Sequence, residues 1–166
     1  MQWIDTEGGP LIAMERRLLP AWRGAIGFPA PGTDYSRACD VGGYVGAIPV
    51  GQGSALVLGD EPMATAWWPD DRWGEGLIVR WMYAPNEPAV VQHLGALGSV
   101  RFDESVDWPI VEGPQLLFDS AFAGDEIGPR AISLSLRPGV YQVDTHVSKP
   151  DDEMCLVLHR VRLATQ

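Results

Sequence analysis

Few residues in this chain have the types and spacing that chemistry demands. A hydrolytic nucleophile needs Ser or Cys beside a histidine base, presented on a sharp turn. Gly51-Gln52-Gly53-Ser54 lacks the glycine beyond its serine, and Cys39, next to Asp40, has no local histidine. His93, His146 and His159 show none of the i, i+4 or Cys-x-x-Cys spacings that gather a metal ion. Gly51-Gln52-Gly53 does not extend to a phosphate-binding loop. The sequence therefore calls for no cofactor, no metal and no catalytic residue. Asp60 and Asp119 could serve paired-carboxylate hydrolysis if the fold brought them within about 5–10 Å. An aspartate after a strand more often closes a turn, and that is the expectation for both.

What remains is surface chemistry. Gly59-Asp60-Glu61-Pro62 leads into Trp67, Trp68, Asp70, Asp71 and Trp73, three indoles crowded among acids. Tryptophan offers a large apolar contact at low entropic cost, while carboxylates steer a basic partner. At least one of the three should be buried and one exposed. Charge points the same way. Of a net charge of −10, residues 38–128 contribute 14 acids against Arg72, Arg80 and Arg101, and no base separates Arg101 from Arg130. Such a field repels nucleic acid and anionic membrane and attracts basic partners. The expected contact set is Asp60, Glu61, Trp67, Trp68, Asp70, Asp71, Trp73, Asp103, Glu104, Asp107, Asp125 and Glu126, gathered on one face. A second reading makes Trp67, Trp68 and Trp81 the lining of a pocket for a small molecule or peptide.

The elements that must position these residues are short. Ile132 to Leu136 and Tyr141 to Val147 alternate apolar and polar residues, and Arg137-Pro138-Gly139-Val140 between them fits a type II turn, so a hairpin is predicted. Met154 to Leu163 reads as a closing strand, and Tyr44–Val50, Ala55–Leu58, Leu77–Tyr83 and Gln115–Phe118 as further strands bounded by Gly, Pro and Asp. Asn86 can cap a helix over 87–97, with Pro88 in the first turn and Val90, Leu94 and Leu97 on one stripe. Residues 11–22 fit a short helix or an irregular strand, and 24–43 a long loop. Alternation sends His146 to solvent, helix position leaves His93 exposed, and His159 belongs to the core or its rim. Three glycine-led segments, at Gly9, Gly53 and Gly113, lie 44 and 60 residues apart, too unequal for a solenoid.

At 166 residues and 46% hydrophobic side chains, the chain can bury a core as one domain, 1–166. No apolar run approaches the length of a membrane span, and the acidic start does not resemble a secretory signal, so a cytoplasmic protein is expected. Cys39 and Cys155 should then be buried, unpaired thiols. The predicted class is mainly β, a β-sandwich or open barrel of short antiparallel strands with one or two short helices.

WIDTEGGPL near the start, DYSRACDV at Asp34 to Val41, VGAIPVGQGSALVLGDEPMATAW at Val45 to Trp67, GLIVRWMYA at Gly76 to Ala84, GPQLLFDSAF at Gly113 to Phe122 and LRPGVYQVDT at Leu136 to Thr145 together resemble the immunity protein 21 family of bacterial polymorphic toxin systems. Gly59 to Pro62 and Phe118 to Ala121 are the most telling pieces. The resemblance implies a small, mostly β protein that binds a cognate toxin domain and blocks it without catalysing a reaction; the acidic middle of the chain fits a basic, nuclease-like toxin as that partner.

Overall fold

The computed structural model describes residues 1–59 and 62–164. In chain order the elements are β1 (Trp3–Ile4), β2 (Leu11–Glu15), a 3-10 helix (Arg16–Ala21), α1 (Asp34–Cys39), β3 (Gly46–Val50), β4 (Gly53–Leu58), β5 (Ala64–Pro69), a 3-10 turn (Asp71–Trp73), β6 (Gly76–Tyr83), α2 (Glu87–Ala96), β7 (Glu104–Ile110), β8 (Gln115–Asp119), β9 (Ile132–Leu134), β10 (Gly139–Ser148) and β11 (Cys155–Leu163). They form two antiparallel sheets and no closed barrel, as expected of a mainly β chain. The larger sheet has the order β1-β5-β6-β11-β10-β7 and the smaller β3-β4-β2-β8-β9.

The sheets pack face to face because each strand turns every second apolar residue inward. Leu56, Leu58, Leu117 and Leu134 of the smaller sheet meet Ile78, Trp108, Tyr141 and Val161 of the larger. The outer faces are covered as well. Ile12, Met14, Val57 and Phe118 lie under Leu18, Trp22 and Ala38 of the segment that follows β2. Leu77, Val79, Leu156 and Leu158 lie under Val90 and Leu94 of α2. Burial on both faces explains why LIAM, ALVL and LLF read as continuous apolar runs.

α2 forms where its signals place it. The Asn86 side-chain oxygen accepts from the Ala89 amide at 2.9 Å, and Val90 and Leu94 are buried. Residues 11–22 combine both expected forms, a strand followed by a 3-10 helix. The loop expected over 24–43 contains α1, a six-residue helix capped by Thr33, whose hydroxyl accepts from the Ser36 amide at 3.2 Å. So short a helix leaves no periodicity to read.

One expected pairing is overturned. β9 and β10 do not form a hairpin: β9 pairs with β8 in the smaller sheet, whereas β10 lies between β7 and β11 in the larger. Residues 135–138 cross between sheets because Leu136 drops into the inter-sheet core, where the Gln115 amide grips its backbone on both sides, accepting at 3.0 Å and donating at 3.2 Å.

The larger sheet also carries polar groups. On its inner face Arg80 is fully buried and donates to the Gly59 carbonyl at 2.7 Å. His159, buried as expected, shares a 2.9 Å hydrogen bond with Thr145; burial, with the Arg80 cation nearby, holds its pKa well below the ordinary imidazole value. On the outer face Asp144 accepts from Arg160 at 2.6 Å, Arg162 at 3.1 Å and Ser105 at 2.8 Å. Burial alone would raise that carboxyl; these donors outweigh it and hold it below its usual value. Phe102 lies 4.0 Å over the Arg160 guanidinium and edge-on to His146. His146 and His93 are therefore half-buried rather than in solvent, and His93 shares a 2.8 Å hydrogen bond with Ser148. Both cysteines are free; Cys155 is buried as expected, but Cys39 at the end of α1 is exposed.

Candidate partner-binding surface

Trp67 and Trp68 are neighbours on β5 and so point to opposite faces. Trp67 packs toward the inter-sheet core, and Trp68 and Trp81 join the cluster beneath α2. Geometry denies them a common pocket. Trp73 is buried, while Trp67 and Trp68 are each half-buried, so none of the three is the exposed indole expected.

The acids separate into groups. Asp70 accepts from the Arg72 side chain at 2.6 Å and from the Trp68 indole at 3.3 Å, and the Arg72 hydrogen bonds hold its pKa down to about 2. Arg72 in turn donates to the Gly95 and Leu94 carbonyls, so this pair ties the β5–β6 connection to the C-terminal end of α2. Asp71 is exposed beside it. Asp103, Glu104 and Asp107 lie at or on β7, the far edge of the same sheet. Trp67, Ile78, His159, Thr145 and Glu104 form one cross-strand row, which puts four strand spacings, roughly 19 Å, between Trp67 and Glu104. Glu104 accepts from the Tyr44 amide at 2.9 Å, Asp103 lies 3.4 Å from Arg101, and Asp107 is exposed. Asp125 and Glu126 belong to neither group; they are exposed on the turns after β8, over the smaller sheet. Asp60 and Glu61 lie outside the described residues. The other members of the contact set do not share one face, because strand order decides which acids meet.

Asp119 closes a turn. Nearly buried, it accepts from the Glu7 amide at 2.6 Å and the Ala121 amide at 2.8 Å. Glu15, fully buried, does similar work for the Val111 and Glu112 amides. Among the described residues no three His, Cys, Asp or Glu side chains are grouped to hold a metal ion, and no helix is long and apolar enough to cross a membrane.

Two exposed large apolar residues lie on one loop where charge did not point. Ile26 and Phe28 are 56% and 51% exposed on the connection before α1. Beside Ile26 is a hollow of about 400 Å³, lined by Leu19, Pro20, Ala123 and Gly124, with Arg23 and Asp125 at its sides. The connection is anchored. The Ala25 amide donates to the Ala121 carbonyl and the Gly124 amide to the Trp22 carbonyl, both at 2.9 Å, and the buried Trp22 indole donates to the Ser120 carbonyl at 3.1 Å. Gly24 has φ +56°, and a Cβ there would collide with the Ala121 carbonyl. Phe28 stands edge-on to Tyr35 at 5.0 Å. The available signal was AIGFPAPG, large apolar residues among glycines and prolines that exclude them from a strand.

Fold and surface define a mainly β sandwich with both sheets covered and an anchored apolar loop on one cover. The model of the immunity protein 21 family matches residues 2–154, and the chain belongs to that family. No curated protein and no solved structure matches it.

Proposed function

We propose that this protein acts in the bacterial cytoplasm as the antidote of a polymorphic toxin system, binding a cognate toxin domain and neutralising it by occlusion, without catalysis of its own. Family membership over residues 2–154 is the observation that carries this reading. Charge supports a basic, nuclease-like toxin as partner. A net charge of −10 steers a basic protein from a distance even when its acids are dispersed, because long-range attraction depends on the summed field. The exposed acids Asp71, Asp103, Asp107, Asp125 and Glu126 then set the association rate more than the lifetime of the complex.

The test is co-expression with the toxin domain encoded beside this chain. Cell survival and co-purification of a stable complex are expected. Death of the cells with no complex formed would sink the antidote reading.

A further inference from the structure

We infer that the toxin docks on the cover of the smaller sheet, seating a basic and apolar segment against Ile26, Phe28 and the hollow that Ile26 lines; this rests on the antidote reading above. Three observations converge here. Ile26 and Phe28 expose large apolar side chains two residues apart on one loop, which folding alone does not require. The hollow beside Ile26 has apolar walls from Leu19 and Pro20 and a volume of about 400 Å³, enough to take a large side chain of a partner. Its rim carries Asp125, followed by Glu126, and neither carboxylate has a basic partner within ion-pair distance among the described residues.

Charge selects the occupant. The lining of the hollow carries one carboxylate, Asp125, and one guanidinium, Arg23, and the exposed Glu126 follows Asp125 in the chain, in a molecule of net charge −10. A second copy of this chain would bring its own acids to the same rim, whereas a basic toxin brings lysine or arginine. The loop is also built before it binds. Its ties to Ala121, Ser120 and Gly124 leave little backbone freedom to lose, and Tyr35 already holds the Phe28 ring. Large, rigid side chains that are desolvated on docking, inside a polar rim that excludes water, are how interface hot spots are made.

The experiment measures binding of the purified toxin domain to the wild-type chain and to three variants. Ile26→Ser with Phe28→Ser should weaken affinity at least about thirtyfold, mainly through faster dissociation. Asp125→Asn with Glu126→Gln should slow association several-fold at low salt, with the difference fading as salt rises. Val111→Ser is the control. Val111 is 60% exposed but lies before β8, at the opposite end of that strand from the hollow, and should bind as wild type. All the altered side chains are on the surface, so thermal unfolding should be nearly unchanged and confirms folding. Wild-type affinity in the Ile26/Phe28 variant, with wild type binding tightly, overturns the docking site and leaves the antidote reading standing. Absence of wild-type binding overturns both. A toxin-free dimer of wild type that the Ile26/Phe28 variant breaks makes a second copy the occupant and also overturns the inference.

Discussion

The two covers of the sandwich use their aromatic residues in opposite ways. Over the larger sheet, α2 and the segments around it consume theirs: Trp3 packs edge-on to Trp81, Trp73 edge-on to Phe102, and Trp68 bonds to Asp70. Over the smaller sheet, Trp22 is sunk into the packing with Phe122 half-buried against the same cluster, and the loop that Trp22 anchors holds Phe28 outward. Aromatic density in the sequence is therefore highest where the molecule is most committed to its own stability. Exposed apolar surface arises where glycine and proline keep a short stretch out of regular structure. Crowding of indoles and acids is an ambiguous sign, because both residue types are equally suited to tying one layer to the next.

That contrast predicts where substitutions act. Trp73→Ala empties a site beneath α2 and should cost about 3–5 kcal/mol of stability in denaturant unfolding, while toxin affinity of the folded fraction stays the same. A milder loss would mean that α2 is only loosely seated. Asp144→Ala removes the acceptor shared by Arg160 and Arg162 and should cost about 2 kcal/mol, again without effect on binding.

Acid should weaken the larger sheet in two stages. The folded-state pKa values of His159 and His93 are depressed, so the unfolded chain takes up protons first, and stability present above about pH 6.5 is lost as pH falls below it. Asp144 is depressed as an acid; its contribution is present above the unfolded carboxyl value, near pH 4, and disappears as pH falls through the folded value. Melting curves from pH 7 to 5 should show a falling midpoint whose slope is shallower in His159→Gln, after allowance for that variant's lower stability.

Smaller effects close the series. Asp70→Asn should lower the melting temperature slightly, since it releases Arg72 from the end of α2, and an unchanged melting temperature would show that exposed pair to be idle. Asp103→Asn with Asp107→Asn should shift stability by no more than about 0.5 kcal/mol and reduce only the salt-dependent association rate.

The sandwich was legible because its signals are local. Alternation in 141–147 and 154–163, unbroken apolar runs in the smaller sheet, and the Asn86 cap each act within a few residues. β5 and β7 escaped for particular reasons. ATAWWP places its tryptophans side by side, which hides the strand period, and ESVDWPI carries Val106, Trp108 and Ile110 in alternation but sets acids and Pro109 between them. The candidate docking loop was legible only as loop. Nothing within AIGFPAPG reveals that the segment 120–124 underpins it from a hundred residues away.

What the sequence by itself determined is the β class, the capped helix, the net negative charge and the family, since these follow from residue types and short-range order. Only the tertiary structure decided that 132–134 and 139–148 belong to different sheets, that the acids disperse, and that Phe28 rather than Trp73 meets solvent. Those outcomes depend on which strands become neighbours, and strand order is settled by the joint burial of faces contributed from distant parts of the chain, a sum that no local pattern contains.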